Sequence, residues 1–306
     1  MNLTPLVSVI IPNYNHELYL DQRIKSILLQ TYKNVEIIII DDCSTDNSLS
    51  IINKYKSSKK ISAIVLNEIN SGSPFSQWKK GLSMVRGDLV WIAESDDACA
   101  ETFLEELVNF YMEHNLVMAF SLSRKMDLKG SLGEIIQKDV SQNMLLDGHD
   151  YISKHISMIT NASSAIFSSA CARNIDNNYF DYKGAGDWLF WTGIVSQGRV
   201  GVLAKPLNYY RVHEKSTTSR MFSNGRDLCE LNKIYEYLHQ NRYWNNWTFR
   251  RNCAQMVYDI KYVYSFDNED IRKSLLKEWN KRPLFNECYC LVIRGCSIIK
   301  KIISNK

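Results

Sequence analysis

The sequence predicts an α/β fold, a mostly parallel central sheet flanked by helices, with a helical C-terminal extension. Three observations predict it. Short β-branched apolar runs alternate with amphipathic segments through the first third of the chain. A polar cluster follows each of the first four runs. Beyond about His213, glycine and proline become scarce, and aromatic and basic residues dominate.

Val7 to Ile11 reads as a strand covered on both faces. Leu18 to Gln30 follows as a helix, with Leu20, Ile24, Ile27 and Leu28 at helical spacing. Val35 to Ile40 is a second buried strand, and "DDCSTDNS" after it ends in helix-capping residues. Leu49 to Tyr55 is a short helix, Ile61 to Leu66 a third strand, and "NEINSGS" a turn-rich loop. Phe75 to Val85 is helical, Leu89 to Ala93 the fourth strand, and Phe103 to His114 another helix. The stretch 118–211 is less regular. It offers strands at Val117 to Leu122, Ala165 to Phe167 and Arg199 to Leu203, and a helix at Trp188 to Ser196. The change of character near residue 215 divides the chain into a first domain over 1–215 and a helical extension over 216–306.

The composition is that of an ordinary soluble chain, 45% hydrophobic and 23% charged, which permits a sizeable core. A net charge of +4, without a basic run interleaved with aromatics, gives no reason to expect a nucleic-acid partner. The eight cysteines are scattered, with no CxxC pair and no histidines at zinc spacing, so reduced cytoplasmic thiols are expected. The first apolar run has no basic n-region or cleavage site and is interrupted by Pro12, so neither a signal peptide nor a membrane span is expected there. The sequons at Asn161 and Asn246 then read as chance.

In open α/β sheets, ligands bind outside the carboxyl ends of strands. Here "PNYN", "DDCSTD", "NEINSG" and "ESDD" occupy four such ends. The last crowds Glu94, Asp96 and Asp97 into four positions. Like charges at that spacing repel, and burying one unpaired is costly. Two readings stand. A hard divalent cation, Mn²⁺ or Mg²⁺, offsets the repulsion, or the acids form a solvated helix cap. The three other polar strand ends favour the cation. Asp41 and Asp42 pose a similar choice between an Asx-type cap and a carboxylate that accepts from a nucleobase N–H. Tyr14 is either a base-stacking face or an ordinary loop tyrosine.

Taken together, these residues resemble the family 2 inverting glycosyltransferases of the GT-A (Rossmann-like) fold. "VSVIIPNYNHELYLDQRIKSILLQTYKNVEIIIIDDCSTDNS" is similar to that family's opening. "NSGSPFSQWKKGLSMVRGDLVWIAESDD" is similar to the stretch ending in its DxD-type motif, and "GDWLFWTGIVSQGRVGVLAKPLNYYRVHEKSTT" to its acceptor-side segment. The resemblance covers roughly residues 5–220. It implies that Pro12 and Tyr14 line the nucleotide pocket, that Asp42 hydrogen-bonds the base, and that Asp96 sits near the ribose. Asp97 would ligate the metal between diphosphate oxygens. Asp187 would be the general base, and Arg211 and His213 would approach the diphosphate or the metal. It implies a nucleotide-sugar donor, UDP being the commonest, and as acceptor a glycan or an undecaprenyl-diphosphate-linked saccharide of a surface polysaccharide. Two positions depart from the pattern. Gly186 stands where the family has an acid before the base, and "QWKKG" replaces the usual Arg-Asn before Gly81.

Two other classes compete. A sugar-phosphate nucleotidyltransferase resembles a glycine-rich phosphate loop after the first strand, and "PNYNHELYL" has no glycine. A non-catalytic nucleotide-sugar-binding protein is opposed by the presence of both Asp97 and Asp187. In the tail, Leu291, Val292, Cys296, Ile298, Ile299, Ile302 and Ile303 share one helical face, opposite Arg294, Lys300 and Lys301. Such a helix over 291–303 lies either on the inner face of the cytoplasmic membrane or against its own domain.

Overall fold

The computed structural model describes residues 4–154, 159, 161–212 and 225–280. The chain divides into two compact units, Met1–His213 and Glu214–Lys306.

The first unit is built on a ten-stranded sheet. Its strands are β1 (Val7–Asn13), β2 (Val35–Asp41), β3 (Ile61–Leu66), β4 (Leu89–Ile92), β5 (Ala98–Cys99), β6 (Met118–Met126), β7 (Leu132–Ile135), β8 (Met144–Asp147), β9 (Ala165–Ser168) and β10 (Arg199–Arg211). The order is β3-β2-β1-β4-β9-β6-β10-β5, with β7 beside β6 and β8 beside β10. Strands β1 to β4, β6 and β10 run one way, and β5, β7, β8 and β9 oppose them. The helices are α1 (Glu17–Leu28), α2 (Ser48–Tyr55), α3 (Pro74–Leu82), α4 (Phe103–His114), α5 (Gly148–Lys154), α6 (Ser169–Arg173) and α7 (Gly186–Val195).

Strand alternation explains the layering. Val7, Val9 and Ile11 face a core shared with Leu20, Ile24 and Ile27 of α1, Ile51 and Ile52 of α2, and Phe103, Leu104 and Leu107 of α4. Ile10 faces the other side, toward α3. The approach there is close: a Cβ on Gly81 would lie 2.5 Å from Ile10 Cγ2, so only glycine lets this helix seat on the sheet.

Pro12 lies inside central β1, one strand end further than the apolar run suggests. Pairing with β4 stops at Ile10, while pairing with β2 continues to Asn13. Past Ile10 the strand is therefore an edge on one side, where a missing N–H costs nothing. Strand β10 runs thirteen residues, well beyond the expected end at Leu203. Its register against β6 shifts on both sides of Pro206, the usual accommodation of a strand proline.

At the far end of the sheet, Glu36 of β2 is buried. Its carboxylate accepts from Ser8 Oγ at 2.5 Å, Arg86 N at 2.9 Å and Arg86 Nε at 2.8 Å. Burial pushes its pKa up, but these donors prevail and hold it below the usual range.

The second unit contains α8 (Arg226–Gln240), α9 (Asn246–Tyr262) and α10 (Glu269–Trp279). Asn245 and Asn268 cap α9 and α10, accepting from Thr248 N at 2.8 Å and Ile271 N at 3.0 Å. Leu228, Ile234, Leu238, Val257, Ile260 and Trp279 form its core. No helix among the described residues is long and apolar enough to cross a membrane. The 291–303 tail lies outside them.

Glu36→Gln should destabilise the protein at neutral pH by about 2 kcal/mol in urea unfolding. The folded pKa is depressed, so the carboxylate's contribution is present above its unfolded value and lost as pH falls through the folded one. The gap between variant and wild type should therefore close below about pH 4.

Candidate functional site

The carboxyl ends of β1, β2 and β4 are adjacent, and their loops are tied to one another. Asn13 Nδ2 donates to Asp41 Oδ2 at 2.7 Å, and Asp41 accepts from Ser44 N at 2.8 Å and Ser44 Oγ at 2.7 Å. Asp41 is thus an Asx-type brace. Asn15 takes a left-handed φ of 55°, which asparagine tolerates, and its Oδ1 accepts from Thr45 N at 2.7 Å. Tyr14 stands on this doubly held loop, 46% exposed. Pro12 is buried within the strand behind it.

Asp42 is buried and faces the loop after β3. Its carboxylate accepts from Asn67 Nδ2 at 2.7 Å, Ser71 N at 3.1 Å and Ser71 Oγ at 2.8 Å. Three donors against about four lone-pair sites leave capacity for one more. Lys80 Nζ donates to Asn67 Oδ1 at 2.6 Å, and Lys79 Nζ lies 3.6 Å from the Phe180 ring centroid. Both lysines of "QWKKG" therefore have partners within the protein.

The acidic loop after β4 is the most constrained part of the site. Glu94 Oε1 accepts from Trp78 Nε1 at 3.0 Å, its N donates to Ser163 Oγ at 3.0 Å, and its carbonyl accepts from Arg23 Nε at 2.8 Å. Burial, then the charge of Asp96, pushes its carboxyl up to about 8. Asp97 is 1% exposed. Its Oδ1 accepts from Arg211 N at 2.9 Å and its Oδ2 from Asn161 Nδ2. Burial and Asp96 raise it to about 7. Asp96 is half-buried. The resemblance pointed to Asp97 as the side chain offered to a cation. Here both its oxygens accept from the chain, and Asp96 is the more exposed of the pair.

Arg211 is buried, and the guanidinium expected to meet a diphosphate is engaged inside the fold. Nε donates to Asp96 O at 2.7 Å, Nη1 to Asp127 O at 2.7 Å and Leu128 O at 3.3 Å, and Nη2 to Gln22 Oε1 at 2.5 Å and Met126 Sδ at 3.8 Å. The Tyr19 ring centroid lies 4.5 Å from its Cζ. His213 lies outside the described residues.

Asp187 is half-buried in the first turn of α7. The preceding Gly186 has no room for a side chain, since a Cβ would lie 2.2 Å from Tyr179 O and 2.9 Å from Phe75 Cδ2. The missing second acid is thus a packing consequence. Contacts tie this helix to the rest of the site. Ser73 Oγ donates to Tyr182 O at 3.0 Å, beside the Ser71 that holds Asp42. Trp78, which holds Glu94, packs edge-on against Phe190 of α7 at 5.3 Å.

Sequence reasoning missed Asn161, Ser163 and Asn208. Asn208 Nδ2 donates to Asn161 Oδ1 at 2.9 Å, and Asn161 in turn holds Asp97. Asn161 had been read only as a chance sequon. These residues lie in a turn and beside a strand bulge, where no periodicity marks them.

The donor set suits a hard cation. Among the described residues all candidate donors are oxygens, and no group of three acidic, histidine or cysteine side chains forms a closed cage. Mn²⁺ and Mg²⁺ commonly take one or two carboxylates and complete their shell with phosphate and water. The residues present fit that use.

An uncharacterised glycosyltransferase of Haemophilus influenzae is 37% identical over 153 residues, which are 49% of this chain and 60% of that protein. The chain thus spans less than two thirds of that relative's length. The Escherichia coli UDP-Glc:alpha-D-GlcNAc-diphosphoundecaprenol beta-1,3-glucosyltransferase WfaP is 28% identical over 224 residues, 71% of this chain and 81% of its own length. In fold, the crystal structure of Staphylococcus aureus TarS 1-349 in complex with UDP-GlcNAc superposes with a TM-score of 0.61 at 23% identity, covering 90% of this chain and 71% of that one. The model of glycosyl transferase family 2 matches residues 8–161, half of the chain, and the protein belongs to that family.

Proposed function

We propose that the protein transfers a sugar from a nucleoside diphosphate donor, a UDP-sugar, to a hydroxyl of a glycan or lipid-linked glycan, with inversion, during surface-polysaccharide assembly. The observation that carries this reading is that hydrogen bonds join the loops after β1, β2, β3 and β4, and that the segment just before α7 is attached to them through Ser73 and Tyr182. The relatives named for UDP-sugar and lipid-linked substrates support the donor and acceptor classes.

In this reading Tyr14 stacks on the base, and Asp42 accepts a base N–H with its remaining lone pair, its plane fixed by Asn67 and Ser71. Pro12 supports the pocket from within β1. Asp96 offers its carboxylate to Mn²⁺ or Mg²⁺, with Asp97 holding the loop from behind; His213 is kept as a further ligand on the family resemblance alone. A bound divalent cation stabilises negative charge on the departing diphosphate. Asp187 takes the proton from the acceptor hydroxyl as that oxygen attacks, because a neutral hydroxyl is a weak nucleophile. Attack opposite the leaving group inverts the anomeric carbon, so no second carboxylate nucleophile is required. A lipid-linked acceptor would place the enzyme at the inner face of the cytoplasmic membrane, where the basic apolar tail 291–303 could lie.

Asp187→Asn should lower sugar transfer by about 10²- to 10⁴-fold while UDP affinity by calorimetry stays near wild type. Lost UDP binding would remove Asp187 from the role of base. Chelation should abolish transfer, and added Mn²⁺ should restore it. Asp96→Asn should weaken Mn²⁺ binding by at least about tenfold, a loss that even outer partners of metal sites produce. An unchanged Mn²⁺ affinity would remove Asp96 as the ligand.

A further inference from the structure

Two arginines lie beneath the acidic loop, and they differ. Every N–H of Arg211 has an acceptor in the chain. Arg23 is 0% exposed, yet only its Nε is hydrogen-bonded, to Glu94 O at 2.8 Å. Its terminal nitrogens meet no oxygen acceptor, and the Cys99 sulfur supplies only a weak one. Its Cζ lies 5.2 Å from the Trp91 ring centroid. A buried guanidinium with unmade hydrogen bonds is costly and persists only where opposite charge offsets it. The carbonyl that accepts from Arg23 Nε also accepts from Asp97 N at 3.2 Å, so the guanidinium stands against the turn that carries Glu94 and Asp97.

Helix α1 delivers this charge with little freedom. Arg23 and Ser26 lie at i and i+3 on one face, and Gln30 follows just past the helix end. Cys99 Sγ lies 3.8 Å from Ser26 Oγ, Gln30 Nε2 donates to Ala100 O at 2.7 Å, and Gln30 Oε1 accepts from Leu104 N at 2.8 Å. The whole loop from Glu94 to Leu104 is thereby docked on the helix that carries Arg23.

We infer that Arg23 is the fixed counter-charge of the acidic loop. It is a positioning residue that holds Glu94 and Asp97 against their mutual repulsion and, once a divalent cation is bound, leaves the site electropositive toward a donor diphosphate. The loop carries three carboxyls. With Arg23 and Arg211 beneath them, a bound divalent cation leaves the site more positive toward a diphosphate than the cation and carboxyls would alone. The second half of this inference rests on the proposed donor class; the first half does not.

The experiment compares wild type, Arg23→Met and Arg23→Lys by thermal unfolding and by UDP titration in Mn²⁺. Arg23→Met keeps the length and apolar contact of the stem and removes the charge. Its Tm should fall by about 10 °C, as when a buried charge loses its partner. Its UDP Kd should rise about tenfold, the order expected of one unit charge acting across a partly buried site. Arg23→Lys should stay within about 3 °C and threefold of wild type, because it retains the charge. Equal losses in the two variants, or a folded Arg23→Met with unchanged UDP affinity, would overturn the inference. Should Arg23→Met not fold, Arg23→Lys decides: a folded, UDP-binding protein supports the counter-charge and an unfolded one refutes it. A wild type that binds no UDP would overturn the donor reading instead, and the Tm comparison would still decide the role of Arg23.

Discussion

Three carboxyls within four residues, at the buried end of a strand, cannot stand without compensation, and much of the first unit is arranged around supplying it. Asp97 is held by a peptide N–H from β10 and an amide from Asn161, and Glu94 by the Trp78 indole and the Ser163 hydroxyl. Hydrogen bonds to a carboxylate favour its ionised form, and burial opposes it. At Glu94 and Asp97 burial still prevails, so both carboxyls sit above the usual range. The loop is held in a state of unrelieved charge pressure, which suits a place where a cation and a polyanion arrive together.

This constraint accounts for features that otherwise look unrelated. Strand β10 shifts register at Pro206 and continues far enough to bring Arg211 beside Asp96 and Asp97. Helix α1 packs its apolar face on the sheet and turns Tyr19, Gln22 and Arg23 toward the same loop. The two-residue strand β5 pairs Ala98 and Cys99 with β10 directly after the acids, pinning the loop's exit. Each device fixes backbone rather than adding a ligand, as preorganisation requires.

The first four strands and helices were legible because each buries a continuous face, so periodicity and β-branching report them directly. The acid cluster was legible as chemistry, since burial of such groups demands a reason, whereas Asp187 was marked only by the family resemblance. What sequence did not disclose was which carboxylate is the less buried. Asp96 and Asp97 are adjacent and identical in type, and only the long-range partners, Asn161 and the Arg211 peptide, decide which one turns inward. The same limit concealed Asn161, Ser163 and Asn208, and the short strands β5, β7 and β8, whose lengths are too small to show a period. Arg211 misled for a related reason: a motif places an arginine near a site but does not say which atoms its five donors will meet.

The two departures from the family pattern become one structural fact when read together. Gly186 lets α7 start against Tyr179 and Phe75. Phe75 in turn packs edge-on against Trp78 at 5.1 Å, and Trp78 is the residue whose indole holds Glu94. An acid at 186 would displace Phe75, and with it the indole. A charged side chain at 78 would have to bury its charge among Phe75, Phe190 and Trp191. An aromatic wedge between the acidic loop and the helix of Asp187 therefore leaves no room for an acid at 186 or a charged side chain at 78. The neutral indole donor gives Glu94 a partner without bringing a charge of its own, and the positive charge of the region is left to the arginines below the loop.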